Sequence, residues 1–498
     1  MISFGGLASG LDTGAIIKAM LDVERVPIQI LEAQQATEKE KLDLVGSFKE
    51  LVQALQTAAD GLRTTDKFFD FTVNASVENI ATFSASGSAQ AGTHTLEVQS
   101  LAKADRWAFD GVLDPDTDLA GADGEQIDFT VNGTNYSIAL LQADSSLNEI
   151  ASQINSLAGD DVSASVVNVG TDSAPDYQLV LAADETGEDS RITGISSTVA
   201  GLTIDGTLPD GAGVAQSANN ISVGSNAIAI IDGLTVERTT NDFNGVIEGV
   251  DISALATNLG AEMTFTVEAD KEAVKEKVEG FVEAYNAVVS FVNTQNTYSE
   301  DEGAGGELFG DSLLRSVRTT ISNALFKVDT ATVIADTEGY STLSLIGIKS
   351  GNDGTLTLDS TTFDDKFAAN IDALSDLFVD TDGFDNGGAA EGTPEFYIDT
   401  TSDSGLADKL YRSLDLLFGT IPDGSGGSVK ALFDARAESL QNAIDTIQDS
   451  IDSKQRYLEV YEQTLIDRFA ALEELMGGLN SQSAALVSGL ASLNADND

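Results

Sequence analysis

The chain has 498 residues, and 81 acidic against 26 basic side chains give it a formal charge of −55 at pH 7. So negative a field repels nucleic-acid phosphates and anionic membrane surfaces, which excludes a phosphate-backbone binder, and it suits a marine or halophilic medium where salt screens the self-repulsion. A hydrophobic content of 42% marks a folded chain of two to four domains at about 100 to 200 residues each, and the absence of cysteine excludes disulfides and thiolate metal sites.

Met1 to Lys18 lacks a basic segment followed by an apolar run, and no stretch elsewhere has the length of a membrane span, so neither an ordinary secretion signal nor membrane insertion is expected. The spacing predicts a helix from Leu11 to about Thr64. Asp12 or Thr13 would be its N-cap, and Pro27 a kink or break. Ile17, Leu21, Ile28, Leu31, Leu42 and Val45 follow a heptad track, with Gln35 and Glu38 as polar interruptions.

From Phe71 the pattern changes to short alternating runs, Thr72 to Val77, Thr93 to Val98 and Gln126 to Val131, separated by Gly, Asn and Asp turns. One helix is expected at Ser146 to Leu157. Strands resume at Tyr177 to Ala182, Ala227 to Ile231, Thr235 to Arg238 and Met263 to Val267. Between Arg106 and Lys271 the only basic residues are Arg191 and Arg238, so this β-rich region should carry a uniformly acidic surface.

Helical periodicity returns at Asp270 through Val274, Val278, Phe281, Tyr285, Val288 and Val292, and again from about Asp311 to Phe326. Leu345 to Ile348 and Thr355 to Leu358, around Asn352-Asp353-Gly354, read as a β-hairpin. A Gly/Asp-rich stretch from Asp380 to Gly392 precedes helices that run from about Gly405 to the end. There a heptad seam steps through Leu440, Ile444, Ile447, Ile451, Leu458, Tyr461, Leu465, Leu472, Leu475, Leu479, Leu486 and Leu493, with polar members Lys454, Arg468 and Gln482. Neither terminal stripe can bury its apolar face alone, so each needs the other or a neighbouring chain. Periodicity alone leaves an intramolecular or dimeric coiled coil and an assembly contact both open.

Chemistry is hard to build from this inventory. With no Cys and a single histidine, His94, thiol nucleophiles and His-rich zinc sites are excluded, and a Ser-His-Asp triad has no nucleophile-elbow motif within reach. His94 is expected as an exposed strand residue. Trp107, the only tryptophan, is expected in a core or an interdomain contact. A paired-carboxylate glycosidase needs a cleft lined by aromatics, which make up only 6% of the chain. No GxxxxGK[ST] loop occurs. Asp114, Asp116, Asp118 and Glu125 fall at calcium-loop spacing, but Leu119 stands where the loop needs glycine and Pro115 lies within it, so a solvated acidic loop is the expectation there and at Asp380 to Asp385. No enzyme, no cofactor and no metal site is expected.

Several blocks carry a family resemblance. The opening Ile2-Ser3-Phe4-Gly5-Gly6-Leu7-Ala8-Ser9-Gly10-Leu11-Asp12-Thr13 and the run Ala91 to Ala104 resemble bacterial flagellar filament-capping proteins, the flagellar hook-associated protein 2 family. Phe129-Thr130-Val131-Asn132-Gly133, Leu147 to Ile154-Asn155 and Val162-Ser163-Ala164-Ser165 are similar to a repeat of flagellin and hook proteins centred on an Ile-Asn pair. Phe281 to Asn286, Leu345 to Ile348 with Gly354 to Asp359, and Arg468 to Glu473 with Leu479 to Ser483 complete the set in the family's order, while Thr171 to Asn220 shows no family pattern.

The resemblance implies an oligomeric cap at the distal tip of the filament, a ring of about four to six subunits and most often a pentamer. Exported flagellin would fold beneath it and insert between its legs. Implied partners are other copies of the chain, flagellin, hook–filament junction proteins, the flagellar type III export apparatus and a cytoplasmic export chaperone, with an extracellular location reached without a cleaved signal. The alternatives are another axial component, from the junction or the filament itself, or a tip-exposed adhesin. The expected fold is α+β and multidomain: a terminal coiled-coil leg (1–45 plus 435–498), a helical stalk domain with a β-hairpin (46–70 plus 271–434), and two β-rich head domains (71–110 plus 221–270, and 111–220). Filament and subunit contacts would fall on Phe4, Leu7, Leu11, Ile17, Leu21, Ile28, Leu31, Leu458, Leu465, Phe469, Leu472, Leu475, Leu479 and Leu486.

Overall fold

The computed structural model describes residues 10–208, 217–298, 305–326, 340, 342–381, 383–390, 400, 405–418, 420–422 and 428–495. The chain begins with α1 (Thr13–Asp60) and α2 (Thr65–Phe68), followed by β1 (Phe71–Ala75), β2 (Ala81–Ala85), β3 (Gly92–Ser100), β4 (Ala104–Ala108), β5 (Gln126–Val131) and β6 (Thr134–Ala139). After α3 (Leu147–Ala158) come β7 (Val162–Asn168), β8 (Tyr177–Thr186), β9 (Thr193–Ser197), β10 (Asn220–Ser222), β11 (Ala227–Ile231), β12 (Leu234–Arg238), β13 (Val250–Ala254) and β14 (Met263–Ala269). Then follow α4 (Lys271–Asn296), α5 (Ser312–Phe326), β15 (Ile348–Ser350), β16 (Leu356–Leu358), α6 (Ser360–Ala369), α7 (Ile371–Asp376), α8 (Leu406–Asp415), β17 (Thr420–Pro422), β18 (Ser428–Lys430) and α9 (Leu432–Ala495). These elements form two compact units, residues 1–68 with 275–498 and residues 69–274.

The first unit is built on α1 and α9. Asp12 caps α1, its Oδ1 accepting from Ala15 N at 3.0 Å. Of the kink or break expected at Pro27, the break does not occur: the helix continues through it. Proline removes one hydrogen bond, but Leu21 and Ile28 on either side are both buried, and that packing holds the helical path. Phe48, fully buried, stacks on Phe291 of α4 at 4.9 Å and meets Phe433 of α9 at 5.6 Å. Three helices thus share one aromatic core.

A charged cluster closes the same unit. Asp408 of α8 is 1% exposed and pairs with Arg63 at 3.4 Å and Arg412 at 2.5 Å. Arg63 also binds Asp60 at 2.5 Å and lies over the Tyr411 ring, while Lys67 binds the other Asp60 oxygen at 2.6 Å. Burial opposes ionisation of Asp60, yet the hydrogen bonds from Lys67 and Arg63 outweigh it and hold the carboxyl below its ordinary range. The hairpin β15–β16 starts later than its sequence suggests. Leu343–Ile346 forms a 3₁₀ turn that ends at Gly347 with φ +94°, and only then does the strand begin.

The second unit holds two cores. In the first, the sheet β1-β14-β3-β11-β12 and the pair β13-β2 bury Leu96, Val98, Phe243, Ile252, Phe265 and Val267. In the second, the sheets β10-β4-β8-β7 and β6-β5-β9 enclose α3, which carries a capping box from Ser146 to Glu149. Trp107 and Phe109 belong to this second core, so the chain enters it at β4. Asp105 is buried there, and among the described residues it has no ion pair but four donors: Trp107 Nε1 (2.7 Å), Gly224 N (2.8 Å), Ile192 N (3.0 Å) and Asn220 Nδ2 (3.1 Å). His94 is not simply an exposed strand residue. Its Nδ1 lies 2.8 Å from Asp232 Oδ2, and its ring stacks on Phe265 at 5.4 Å. The carboxylates at calcium-loop spacing are taken up by protein donors, as where Asp118 accepts from Ser145 N and Glu125 from Gly121 N and Ala200 N.

Two outcomes follow for stability. Phe48→Ala removes the ring shared by α1, α4 and α9 and is expected to cost about 3–5 kcal/mol in denaturant unfolding of the first unit. Because the folded pKa of Asp60 is depressed, its stabilisation is present above its ordinary value of about 3.9 and is lost as pH falls through the lower folded value. Asp60→Asn is therefore expected to lower the melting temperature at pH 7, with an effect that shrinks as pH falls through the acid range, as read by thermal scans across pH.

Candidate functional site: the paired terminal helices

The heptad positions of α1 and α9 meet within one chain. Lys49 Nζ binds Asp434 Oδ1 at 2.6 Å and Gln35 Nε2 donates to Gln448 Oε1 at 2.8 Å, so residues advance along α1 as they recede along α9. The pair is antiparallel. Leu21, Ile28, Val45, Val52 and Leu55 on one side, and Leu440, Ile444, Ile451 and Leu465 on the other, are buried. Of the residues expected to make partner contacts, Leu21, Ile28 and Leu465 therefore lie inside this seam, and Ile17, Leu31, Leu458 and Phe469 are half-buried.

A polar layer lies at Gln35 and Gln448. Lys39 Nζ donates to Gln35 Oε1 at 3.0 Å, and Gln448 Nε2 donates to Asp452 Oδ1 at 2.7 Å, extending the Gln35–Gln448 bond on both sides. A slip of one heptad leaves Gln35 level with Gln441 or Gln455 but sets Gln448 level with Ile28 or Leu42. The layer thus fixes register at a cost in stability.

The same register defines where the pairing stops. With residue 35 level with 448 and 49 level with 434, Thr13 at the start of α1 falls level with about residue 470. The remainder of α9, from Ala471 to Ala495, extends past it by roughly 37 Å at 1.5 Å per residue. Here Leu472, Leu475, Leu479 and Leu486 are exposed, Leu475 at 63% and Leu486 at 68%, joined by Val487 and Leu490. Leu11 is also exposed, and Phe4 and Leu7 lie outside the described residues.

A second apolar stripe was missed in the sequence. Ile16, Met20, Val23, Val26 and Ile30 of α1 are exposed, Val23 at 69%, and Tyr457, Val460 and Ile466 of α9 are exposed as well. Ile16, Ala19, Met20 and Val23 form with Glu24 and Tyr461 an open groove of about 420 Å³. The signal was present: 16, 20, 23, 27 and 30 repeat the four-three spacing one residue ahead of 17, 21, 24, 28 and 31. One register faces α9 and the other faces outward.

An apolar surface of this kind, on helices otherwise rich in charge, is suited to receiving other helices and holds no convergent catalytic groups. Among the described residues no group of three or more His, Asp or Glu side chains could hold a metal ion, and no helix is long and apolar enough to cross a membrane.

Comparison with known proteins agrees with this architecture. Residues 224–481 match the family model for the flagellar hook-associated protein 2 C-terminus, and residues 9–105 match the model for its N-terminus. The chain belongs to the flagellar hook-associated protein 2 family. The B-type flagellar hook-associated protein 2 of Pseudomonas aeruginosa is 26% identical over 93% of this chain and 92% of its own length. Flagellar hook-associated protein 2 of Escherichia coli K12 is 27% identical over 97% of each chain. The crystal structure of the flagellar cap protein D1-D2-D3 domains from Escherichia coli superposes with a TM-score of 0.59 at 22% identity, covering 80% of this chain and 99% of that one, which establishes the shared fold.

Residues 106–223, lying between the two family matches, hold the whole second core of the 69–274 unit. The C-terminal match ends at Ser481, inside the overhang of α9.

Gln35→Leu combined with Gln448→Leu is expected to change the melting temperature of the first unit by the equivalent of at most about 1 kcal/mol, because Gln448 is exposed, while loosening register. Calorimetry measures the first effect. Cysteine pairs placed one heptad out of register, which cross-link in the double variant but not in the parent, measure the second.

Proposed function

We propose that this chain is a subunit of the cap at the tip of a bacterial flagellar filament, and that the unpaired part of its terminal helices is the surface that engages other chains. The observation carrying this reading is the overhang. Residues 432–469 of α9 find a partner within the chain, whereas Leu472, Leu475, Leu479 and Leu486 carry the same heptad repeat into solvent. A leucine seam that stays exposed, with no helix of the described residues laid along it, is suited to pairing with a helix of another chain.

In this reading the residues expected to make partner contacts divide by role. Ile17, Leu21, Ile28, Leu31, Leu458, Leu465 and Phe469 hold the leg together, and Leu11, Leu472, Leu475, Leu479 and Leu486 face filament or neighbouring subunits. The outward stripe of Ile16, Met20, Val23 and Ile30 joins the second group. Phe4 and Leu7 are assigned to it from the sequence alone.

The finer features are proposals of the same kind: a homo-oligomeric ring of about four to six subunits that promotes folding and insertion of flagellin and prevents its loss, delivery through the type III export apparatus with a cytoplasmic chaperone, and an extracellular site at the filament tip. The four-part division into leg, stalk and two heads is proposed with the boundary between heads at β4, because Trp107 packs with the second core. A junction or filament protein is not favoured, since both family matches are to the capping protein's own family.

Leu479→Asp lies on an exposed helical position, so it is expected to change folding stability by no more than about 0.5–1 kcal/mol. In cells lacking the wild-type gene it is expected to abolish filament elongation and release flagellin monomer into the medium. Normal filament length in that strain would refute the assignment of the overhang as the working surface.

A further inference from the structure

The Ile-Asn pair singled out in the sequence divides its work between two surfaces. Ile154 is fully buried beneath α3, whereas Asn155 stands exposed at the rim of the second core. The Asn155 amide meets one residue of β7 twice: Oδ1 accepts from Ala164 N at 2.7 Å, and Nδ2 donates to Ala164 O at 2.9 Å. These are the two bonds that a neighbouring antiparallel strand would make with that residue.

β7 is the outer strand of the sheet β10-β4-β8-β7. Its register on β8 is unbroken from Val162↔Ala183 to Asn168↔Tyr177. The flanking bonds, Asp184 N to Asp161 O at 3.0 Å and Val169 N to Asp176 O at 2.8 Å, fix the odd-numbered positions as those bonded to β8. Val162, Ala164, Val166 and Asn168 therefore turn their backbone N–H and C=O toward the open edge. Asn155 closes the position at Ala164. Among the described residues no backbone hydrogen bond outside the strand ladders reaches Val166 or Asn168.

Apart from that amide the edge lacks the usual protection. Val162-Ser163-Ala164-Ser165-Val166-Val167-Asn168 contains no charge, no proline and no glycine, and β7 carries no bulge. Laid antiparallel on its own copy across the full strand, it is self-complementary: 162 meets 168, 164 meets 166, and Ser165 meets Ser165 about a two-fold axis. The same side-chain device recurs in the other unit, where Asn286 of α4 accepts from Leu356 N at 2.7 Å and donates to Leu356 O at 2.8 Å on the outward side of β16. Its repetition on a different helix and a different strand marks it as a built feature.

We propose that Asn155 is an edge guard: it fills the backbone position through which β7 would otherwise pair with β7 of a second copy of this chain. The guard matters wherever copies are held close together. It does not depend on the cap reading, because an isolated chain has the same open edge.

The absence of cysteine makes a direct test possible in the full-length chain. Ser165→Cys places a single exposed thiol at the position that would meet its own copy, in a pair facing across the new interface without backbone bonds, where disulfide geometry is accessible. Under mild oxidation Ser165→Cys alone is expected to remain a free thiol, and Ser165→Cys with Asn155→Ala to accumulate disulfide dimer. Adding Val166→Pro, which removes one outward N–H without touching the bonds to β8, is expected to return it to the free thiol. Hydrogen exchange at Ala164 N is expected to speed up about tenfold in Asn155→Ala, the factor matching the loss of one net hydrogen bond.

Equal cross-linking with Asn155 intact, or no gain in dimer from Asn155→Ala despite faster exchange at Ala164, would overturn the proposal. The near-UV signal of Trp107 reports whether the core survives. Should Asn155→Ala lose that signal, Asn155→Asp carries the test: it keeps the acceptor for Ala164 N and loses the donor to Ala164 O, so it must give an intermediate dimer yield, and none would refute the guard.

Discussion

The antiparallel pairing of α1 with α9 is the constraint on which the rest of this chain depends. It joins the two ends of a 498-residue sequence through the Gln35–Gln448 and Lys49–Asp434 bonds, and residues 69–274 form a unit of their own in the sequence between them. The hydrophobic seam supplies the stabilisation and the polar layer supplies the register. Register matters because it determines how much of α9 is left over. A slip of one heptad would lengthen or shorten the overhang by about 10 Å, altering which leucines remain available.

Much of this was legible from residue spacing. The heptads at both ends identified the two helices, and Gln35 marked the polar layer before its partner was known. Period-two runs placed β1, β3, β5, β8, β11, β12 and β14, and a helix was expected from Ser146 to Leu157, where α3 lies. The order in which strands lie beside one another could not be read, since β1-β14-β3-β11-β12 joins segments distant in sequence and is set by long-range packing. At Pro27 local propensity admits a break, which the packing of Leu21 and Ile28 overrides. His94 misled in the other direction: its partner Asp232 is a turn residue at φ +49° more than a hundred positions away, and no local pattern links them.

The contact surface was half legible. One heptad register was visible at each end; periodicity left open whether it paired within the chain, and the resemblance assigned part of it, from Ile17 to Leu31 and from Leu458 to Leu486, to partners. The structure divides that register by geometry, because α1 runs out where α9 continues. The outward register through Ile16, Met20 and Val23 was overlooked because it overlaps the inward one by a single residue and is interrupted at Pro27. Two registers on one helix are the mark of an element built to pack on two sides.

We propose that α9, internally paired up to Phe469, pairs with another chain beyond it. Hydrogen exchange along α9, measured on the free chain and again on the chain bound to short filaments, tests this most directly. The account predicts slow exchange from Leu432 to Phe469 in both states, with rapid exchange from Ala471 to Ala495 in the free chain that becomes slow on the filament. Protection of residues 471–495 already present in the free chain, or no change in them on binding, would contradict it.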